Sequence, residues 1–209
     1  PPSLTCPPNA VYENDPGLCG ETKTYPLPIA LDNCSISGPP VLISGLASGS
    51  FFPVGTTTNT WRVADLSNTT ATCSFTIKVN DVEKPKITCK PDILRGNDFG
   101  YCQAKIQNLG QPVFSDNCAI SGLSNNAPIT FPVGSTTVLW IISDHSGNTN
   151  SCTQNVTIED REPPVVTCPA NIQVKTDEGD CVATIGFIAK AKDNCGVQAL
   201  RHFPSSTSA

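Results

Sequence analysis

No stretch of the 209-residue sequence approaches the roughly 18 consecutive apolar residues that a membrane-spanning helix needs, so no membrane insertion by this segment is expected. Pro1 is not followed by a basic and then apolar leader, and a secretion signal is expected to have been removed or to lie outside the segment. Basic clusters are missing as well. The 13 Lys and Arg are scattered among 18 Asp and Glu, for a net charge of -5, which excludes the electrostatic footprint of a nucleic-acid binder.

Catalytic signatures are equally scarce. The sequence has no Gly-x-Ser-x-Gly, no phosphate loop and no His-Glu-x-x-His. No Cys-x-x-Cys occurs, and the two histidines, His145 and His202, lack partners at zinc-ligand spacing. Asp144, His145 and Ser146 are consecutive, and neighbouring side chains in a turn or strand point apart, so they do not make a triad. The acidic residues fall in linkers and turns, with no apolar pocket for a glycosidase pair. An enzyme is not expected.

Aromatic residues make up only 6% of the chain, which keeps any core small. The compensation is 11 cysteines, a content that points to disulfides and an oxidising, extracellular compartment. The cysteines are periodic. Cys6, Cys89 and Cys168 recur at intervals of 83 and 79 residues, each followed 13 residues later by Cys19, Cys102 or Cys181. A third set, Cys34, Cys118 and Cys195, always follows an Asp-Asn pair. Fourth cysteines, Cys73 and Cys152, complete the first two units, and the third unit stops early.

Strand signals dominate within each unit. Val138, Trp140 and Ile142 alternate along one segment, as do Cys73, Phe75, Ile77 and Val79 along another. Thr, Val and Ile are abundant, Pro and Gly number 19 and 15, and no 3.6-residue apolar period is sustained. The expectation is an all-β chain of tandem immunoglobulin-like β-sandwich domains with disulfides, each of about seven strands. The boundaries fall at 1–81, 82–160 and a partial 161–209, whose tail from about Leu200 is not expected to fold with the rest. Asp81-Val82-Glu83-Lys84-Pro85 and Asp160-Arg161-Glu162-Pro163-Pro164 read as short, proline-stiffened linkers of a semi-rigid rod.

Thr5-Cys6-Pro7, Asp32-Asn33-Cys34, Phe52-Pro53-Val54-Gly55-Thr56-Thr57 and Asp144-His145-Ser146-Gly147-Asn148 together resemble the hyalin repeat, the HYR domain. The resemblance implies an immunoglobulin-like fold and roles in extracellular matrix, cell adhesion and secreted surface proteins. Two stretches depart from the family pattern. Asp65-Leu66-Ser67-Asn68 lacks the glycine that the family prefers, and the segment after Gln198 matches no family segment, as expected of a fragment boundary or frame change.

Four cysteines allow three pairings, and spacing does not choose between them. In a seven-strand sandwich the first and last strands begin at the same end, and some repeats of the family lack the second and third cysteines. Both considerations favour Cys6–Cys73 and Cys89–Cys152. The remaining expectation is Cys19–Cys34, Cys102–Cys118 and Cys181–Cys195, with Cys168 left alone. The long closures are expected to stabilise by roughly 4 kcal/mol each on the loop-entropy account.

Asp81, Glu83, Asp116, Asn117 and Asp144 are expected to meet where the first linker enters the second unit, which makes them a candidate calcium set. Two readings stand for them: calcium ligands, or turn residues that bond their own backbone. Sequons occur at Asn33, Asn68 and Asn155. Asn68 and Asn155 are the candidates for glycosylation, because a disulfide at Cys34 hinders the first. Trp61 and Trp140 share one repeat position on an alternating strand, which reads as core and not as a carbohydrate platform.

The function expected is that of a non-catalytic segment of a surface adhesin, matrix coat or filament. Its partners would be neighbouring copies, other surface or matrix proteins, or glycans. The alternative is a receptor- or glycan-binding module of a larger secreted protein.

Overall fold

The computed structural model describes residues 1–201, apart from positions 177, 180, 182 and 184. His202 and the rest of the unusual tail lie outside the described residues. Every regular element described is a strand. No helix among the described residues is long and apolar enough to cross a membrane.

The first repeat holds β1 (Ser3–Thr5), β2 (Ala10–Glu13), β3 (Gly20–Thr22), β4 (Ile29–Leu31), β5 (Val41–Ser44), β6 (Phe51–Pro53), β7 (Gly55–Ala64) and β8 (Thr70–Asn80). The second repeats the series: β9 (Lys86–Thr88), β10 (Ile93–Gly96), β11 (Gln103–Ala104), β12 (Val113–Ser115), β13 (Ile120–Asn125), β14 (Phe131–Pro132), β15 (Gly134–Asp144) and β16 (Thr149–Glu159). Two further strands follow, β17 (Val165–Thr167) and β18 (Lys190–Lys192). By contacts the chain divides into two compact units that cut across the second repeat. One comprises Pro1–Cys89, Pro112–Asn125 and Trp140–Cys152, and the other Lys90–Gln111, Asn126–Leu139 and the chain from Thr153 on.

In the first unit, one sheet runs β2-β8-β7-β5, and shorter pairs β1-β4 and β3-β6 stand apart from it. Proline makes this division. Pro7 and Pro8 withhold two N–H donors, so the first strand breaks. Its start, β1, pairs antiparallel with β4, and its continuation, β2, pairs parallel with β8 from Ala10↔Ile77 to Glu13↔Asn80. Asn9 holds the crossing point, its Oδ1 accepting from the Thr76 N–H at 2.8 Å.

The motif Phe52-Pro53-Val54-Gly55 divides a second segment in the same way. Gly55 has φ 118°, a left-handed value that a side chain would resist, and the chain turns there from β6, paired with β3, into β7, paired with β8 and β5. This corner yields eight short strands where the sequence suggested about seven. Between the layers lie Phe52, Trp61, Phe75, Ile77, Val79 and Tyr25, with Leu4, Cys6 and Cys73 packed against them. Tyr25 meets the rings of Phe52, Trp61 and Phe75 edge-on, at centroid distances of 6.2, 6.5 and 5.0 Å. Opposed layers around a shared apolar core make an immunoglobulin-like β-sandwich.

The second repeat reuses these devices. Asp92 Oδ1 accepts from the Asn155 N–H at 2.8 Å, as Asn9 does from Thr76, and β10 runs parallel to β16. Gly134, with φ 113°, turns β14 into β15. Trp140, Val138 and Ile142 are buried, and Trp140, like Trp61, is a core side chain. One position differs in kind: Gln154 is buried where the first repeat has Phe75, and its Nε2 donates to the carbonyls of Pro91 and Leu109 at 2.8 and 3.0 Å.

Asn68 accounts for the missing glycine of the first repeat. It is the one described residue other than glycine with a positive φ, 64°, at the turn position where the second repeat has Gly147 at 91°. Asparagine tolerates this region better than other residues with a side chain.

Candidate functional site

Four disulfide bonds form: Cys6–Cys73, Cys89–Cys152, Cys19–Cys118 and Cys102–Cys195. The last two depart from the sequence expectation, which paired Cys19 with Cys34, Cys102 with Cys118 and Cys181 with Cys195. Strand direction explains the difference. Cys34 follows β4, whose end lies beside the start of β1 through Ser3↔Leu31. Cys19 follows the turn after β2, next to the end of β8 and the linker, where the Gly17 N–H donates to Glu83 at 2.7 Å. The second and third cysteines therefore lie at opposite ends of their repeat, and each second cysteine meets the third cysteine of the following repeat. Cys34, Cys168 and Cys181 are free and exposed.

The same junction in the first unit gathers the acidic residues. Carboxylate oxygens of Asp81, Asp116 and Asp144 lie within 4.8 Å of one another, and Asp81 and Asp144 are buried at 6% and 3% exposure. Asp81 leaves β8 and turns back on its own chain, its Oδ1 accepting from the Glu83 N–H at 3.1 Å. Asp116 opens the turn that carries Cys118, with Oδ2 accepting the Cys118 N–H at 3.0 Å. Asp144 ends β15, and Asn148 donates to both of its oxygens at 2.8 Å.

Asn117 ties these parts together. Its Nδ2 donates to Asp81 Oδ1 and to the Leu18 carbonyl, each at 3.1 Å. After these bonds are counted, three buried oxygens have no hydrogen-bond partner: Asp81 Oδ2, Asp116 Oδ1 and Asn117 Oδ1. Two carboxylate charges about 4.8 Å apart repel by on the order of 3 kcal/mol at an effective dielectric near 20. Oxygen donors without partners, crowded in this way, fit a hard divalent cation, for which carboxylate and amide oxygens are the preferred ligands.

Glu83, expected in this set, stands outside it. The bend at Asp81 sends its Oε2 to the Gly17 N–H at 2.7 Å and to Asn14 Nδ2 at 3.4 Å, so Glu83 anchors the turn before Cys19. Asn14 and Asn148 were missed by sequence reasoning. Asn148 also reaches the Asp81 carbonyl at 3.1 Å, and Asn14 accepts from the Val82 N–H at 3.0 Å. Their signals were present in the recurrent Asn14-Asp15 and Asn97-Asp98 pairs and in the residue that closes the Asp144 turn.

The second unit carries a partial copy. Asn97 and the Gly100 N–H bind Glu162 at 2.7 Å, as Asn14 and Gly17 bind Glu83. Asn194 donates to the Tyr101 carbonyl at 3.0 Å, as Asn117 does to Leu18. Asp160 and Asp193 approach each other there, but the third member of the group is Cys195, whose sulfur is already bonded to Cys102.

The remaining candidates are isolated. Asn68 is exposed on its turn, whereas Asn155, also exposed, has Nδ2 3.3 Å from Asp92 and Oδ1 accepting from Thr137 at 2.8 Å. His145 Nδ1 lies 3.3 Å from the Ala119 carbonyl, and the Asp144 carboxylate is committed to Asn148 and not to a triad.

The chain is 35% identical over 191 residues to hyalin of Strongylocentrotus purpuratus, a match spanning 85% of this chain and 15% of that protein. It is 28% identical to the sushi, von Willebrand factor type A, EGF and pentraxin domain-containing protein 1 of Rattus norvegicus, over 81% of this chain and 5% of that protein. Among solved structures, the extracellular cadherin domains 3-6 of protocadherin gamma B2 align over 79% of this chain and 49% of theirs, with a TM-score of 0.36 and 12% identity. The chain thus spans a small part of the relatives it matches. Disulfide bonds of this number belong to an oxidising, extracellular setting. The HYR domain pattern matches residues 1–79 and again 80–158, so the chain belongs to the HYR domain family.

Proposed function

We propose that the chain is a non-catalytic segment of an extracellular adhesive or matrix protein, and that a calcium ion bound by Asp81, Asp116, Asn117 and Asp144 sets the first junction between repeats. The observation that carries this reading is the trio of buried oxygens without partners, Asp81 Oδ2, Asp116 Oδ1 and Asn117 Oδ1, beside the Asp144 carboxylate. The ion would offset two of the three crowded carboxylate charges and tie the linker to two loops of the second repeat. Water would supply the rest of the six to eight oxygens that calcium takes. Sites of extracellular modules bind at about 0.1–1 mM, which suits a surface protein bathed in millimolar calcium.

A ligand held only by the folded state stabilises it by about 2.7 kcal/mol at a hundredfold excess over its Kd. Thermal unfolding of the chain in calcium, in magnesium and in chelator tests the reading. Calcium is expected to raise Tm, and Asp116→Asn, which keeps the shape of the side chain, is expected to remove most of that rise. An equal Tm in calcium and chelator, with no heat of binding by calorimetry, overturns it.

A further inference from the structure

Three consecutive residues of the second repeat, Asp116, Asn117 and Cys118, carry half of the cation site and one end of a disulfide. The other half, Asp81 and Asp144, is held together by Asn148, whose Nδ2 donates to Asp144 Oδ2 at 2.8 Å and to the Asp81 carbonyl at 3.1 Å. The bond from Cys118 to Cys19 therefore delivers one half of the site to the other. We propose, building on the calcium reading above, that the Cys19–Cys118 disulfide is a redox switch on that site. Closed, it presents the ligands assembled; reduced, it lets Asp116 and Asn117 move off the linker and weakens calcium binding.

Cys19 is a fixed post. Its turn is closed by the Asp15 N–H donating to the Gly20 carbonyl at 2.8 Å and the Leu18 N–H donating to the Asp15 carbonyl at 2.9 Å, and the Cys19 carbonyl accepts from the Val54 N–H at 3.1 Å. Glu83 fastens the same turn to the linker through the Gly17 N–H. The facing turn is built around its own cysteine: Asp116 Oδ2 accepts the Cys118 N–H at 3.0 Å, and Asn117 Nδ2 lies 3.5 Å from Cys118 Sγ. Displacing that sulfur displaces Asp116 Oδ1 and Asn117 Oδ1, the two buried oxygens that the turn contributes. Absent a cation, the like charges of Asp81 and Asp144 push Asp116 away. Against that repulsion stand the covalent bond and the Asn117 donations to Asp81 and Leu18. Opening the bond gives the turn freedom that calcium must remove on binding, and the ordering cost reads out as lost affinity.

Opening needs a reductant, and a dithiol serves. One of its thiolates attacks a sulfur of the bond and releases one cysteine thiolate. Its second thiolate then attacks the mixed disulfide and releases the other. The dithiol leaves as a cyclic disulfide, two electrons pass to Cys19 and Cys118, and the two protons of the dithiol end on their thiols. Linkage makes the control reciprocal: the factor by which the closed bond tightens calcium binding is the factor by which saturating calcium favours the closed bond.

The test uses the full chain with Cys34→Ser, Cys168→Ser and Cys181→Ser, so that no free thiol reshuffles the four bonds. Calorimetry compares its calcium binding with that of the same chain carrying Cys19→Ser and Cys118→Ser as well, and the Kd is expected to rise about 5–150-fold. A second measurement leaves both cysteines in place. The chain is equilibrated with reduced and oxidised dithiothreitol, in calcium and in chelator, then alkylated and mapped by peptide. The ratio of reduced to closed Cys19–Cys118 is expected to fall in calcium by the same factor, and Asp116→Asn is expected to abolish that shift. This measurement decides alone if the variant without the bond does not fold. An unchanged Kd in the folded variant, a shift that survives Asp116→Asn, or an equal ratio in calcium and chelator from a chain that binds calcium overturns the proposal and leaves the calcium reading standing. A chain with all four bonds closed that takes up no calcium sinks both.

Discussion

Asn117 Nδ2 lies 3.1 Å from Asp81 Oδ1, so the third-cysteine turn of the second repeat is hydrogen-bonded to the linker from the first. The same nitrogen holds the Leu18 carbonyl next to Cys19, and one side chain therefore orients both the acidic cluster and the bridging disulfide.

Asn117→Ala removes both donations and one candidate ligand oxygen. A hydrogen bond to a charged acceptor contributes about 1.5–3 kcal/mol, and one to a neutral carbonyl about 1 kcal/mol. A loss of about 2 kcal/mol is expected in chemical denaturation without calcium, together with weaker calcium stabilisation. Asn33→Ala, at the matching exposed position of the first repeat, is expected to leave the monomer unchanged. Equal effects from the two variants would mean that the Asn117 contacts contribute nothing.

Gly45 sets up a sharper steric test. Its φ is 101°, and a Cβ there would lie 2.1 Å from Asn59 Oδ1 and 2.6 Å from the Thr58 carbonyl. Asn59 is fully buried, and its Oδ1 accepts the Leu46 N–H at 2.7 Å, so it has no room to retreat. Gly45→Ala is expected to cost 3 kcal/mol or more, adding overpacking to backbone strain, in the range of about 1–3 kcal/mol for each. Gly49→Ala has a similar φ, 88°, with nothing within 4 Å, and should cost only about 1 kcal/mol by urea unfolding.

The repeat, the alternating strands and the acidic junction were legible in the sequence because each leaves a local or periodic mark. Cys6 and Cys73 read as one closure because first and last strands start at the same end. Cys19 and Cys34 misled, because closeness in sequence hides the fact that β3 and β4 place them at opposite ends. Glu83 misled for a related reason. Two residues after Asp81 it would share a face in an extended linker, but the Asp81 carboxylate captures the Glu83 N–H and bends the chain away. The split at Val54 was hidden because Pro53 and Gly55 look like strand punctuation, and only the pairing shows that they change the sheet.

Gln154 tests what a polar residue does in a core position. The first repeat fills the equivalent place with Phe75, yet Gln154→Leu would leave the part-buried carbonyls of Pro91 and Leu109 without their donor. An unsatisfied group costs about 1–3 kcal/mol when buried and less where water reaches it, so a net loss of about 1 kcal/mol is expected despite the added apolar surface. Gln154→Glu, which cannot donate when ionised, should be worse at neutral pH and should recover as the solution is acidified. A stability gain in Gln154→Leu would show that the two carbonyls find other donors.

Tyr25 gives the alkaline limit of the first repeat. Burial raises the pKa of its phenol above the ordinary 10.0, and the hydroxyl donates to the Leu46 carbonyl at 2.6 Å. A raised folded-state pKa means that the folded chain holds this proton more tightly than the unfolded chain does. The resulting stability is fully present below pH 10.0 and is lost as the pH rises from there through the folded pKa. Lys23 shifts in the same direction through its hydrogen bond to Glu21, so the wild-type slope above pH 10 combines both groups. Tyr25→Phe isolates the phenol: it should lose about 1 kcal/mol at neutral pH for the missing hydrogen bond and unfold with a shallower decline above pH 10. Urea midpoints measured across that range, alongside phenolate absorbance of the folded chain, provide the check. A wild-type and variant pair with parallel declines would place the alkaline sensitivity elsewhere than Tyr25.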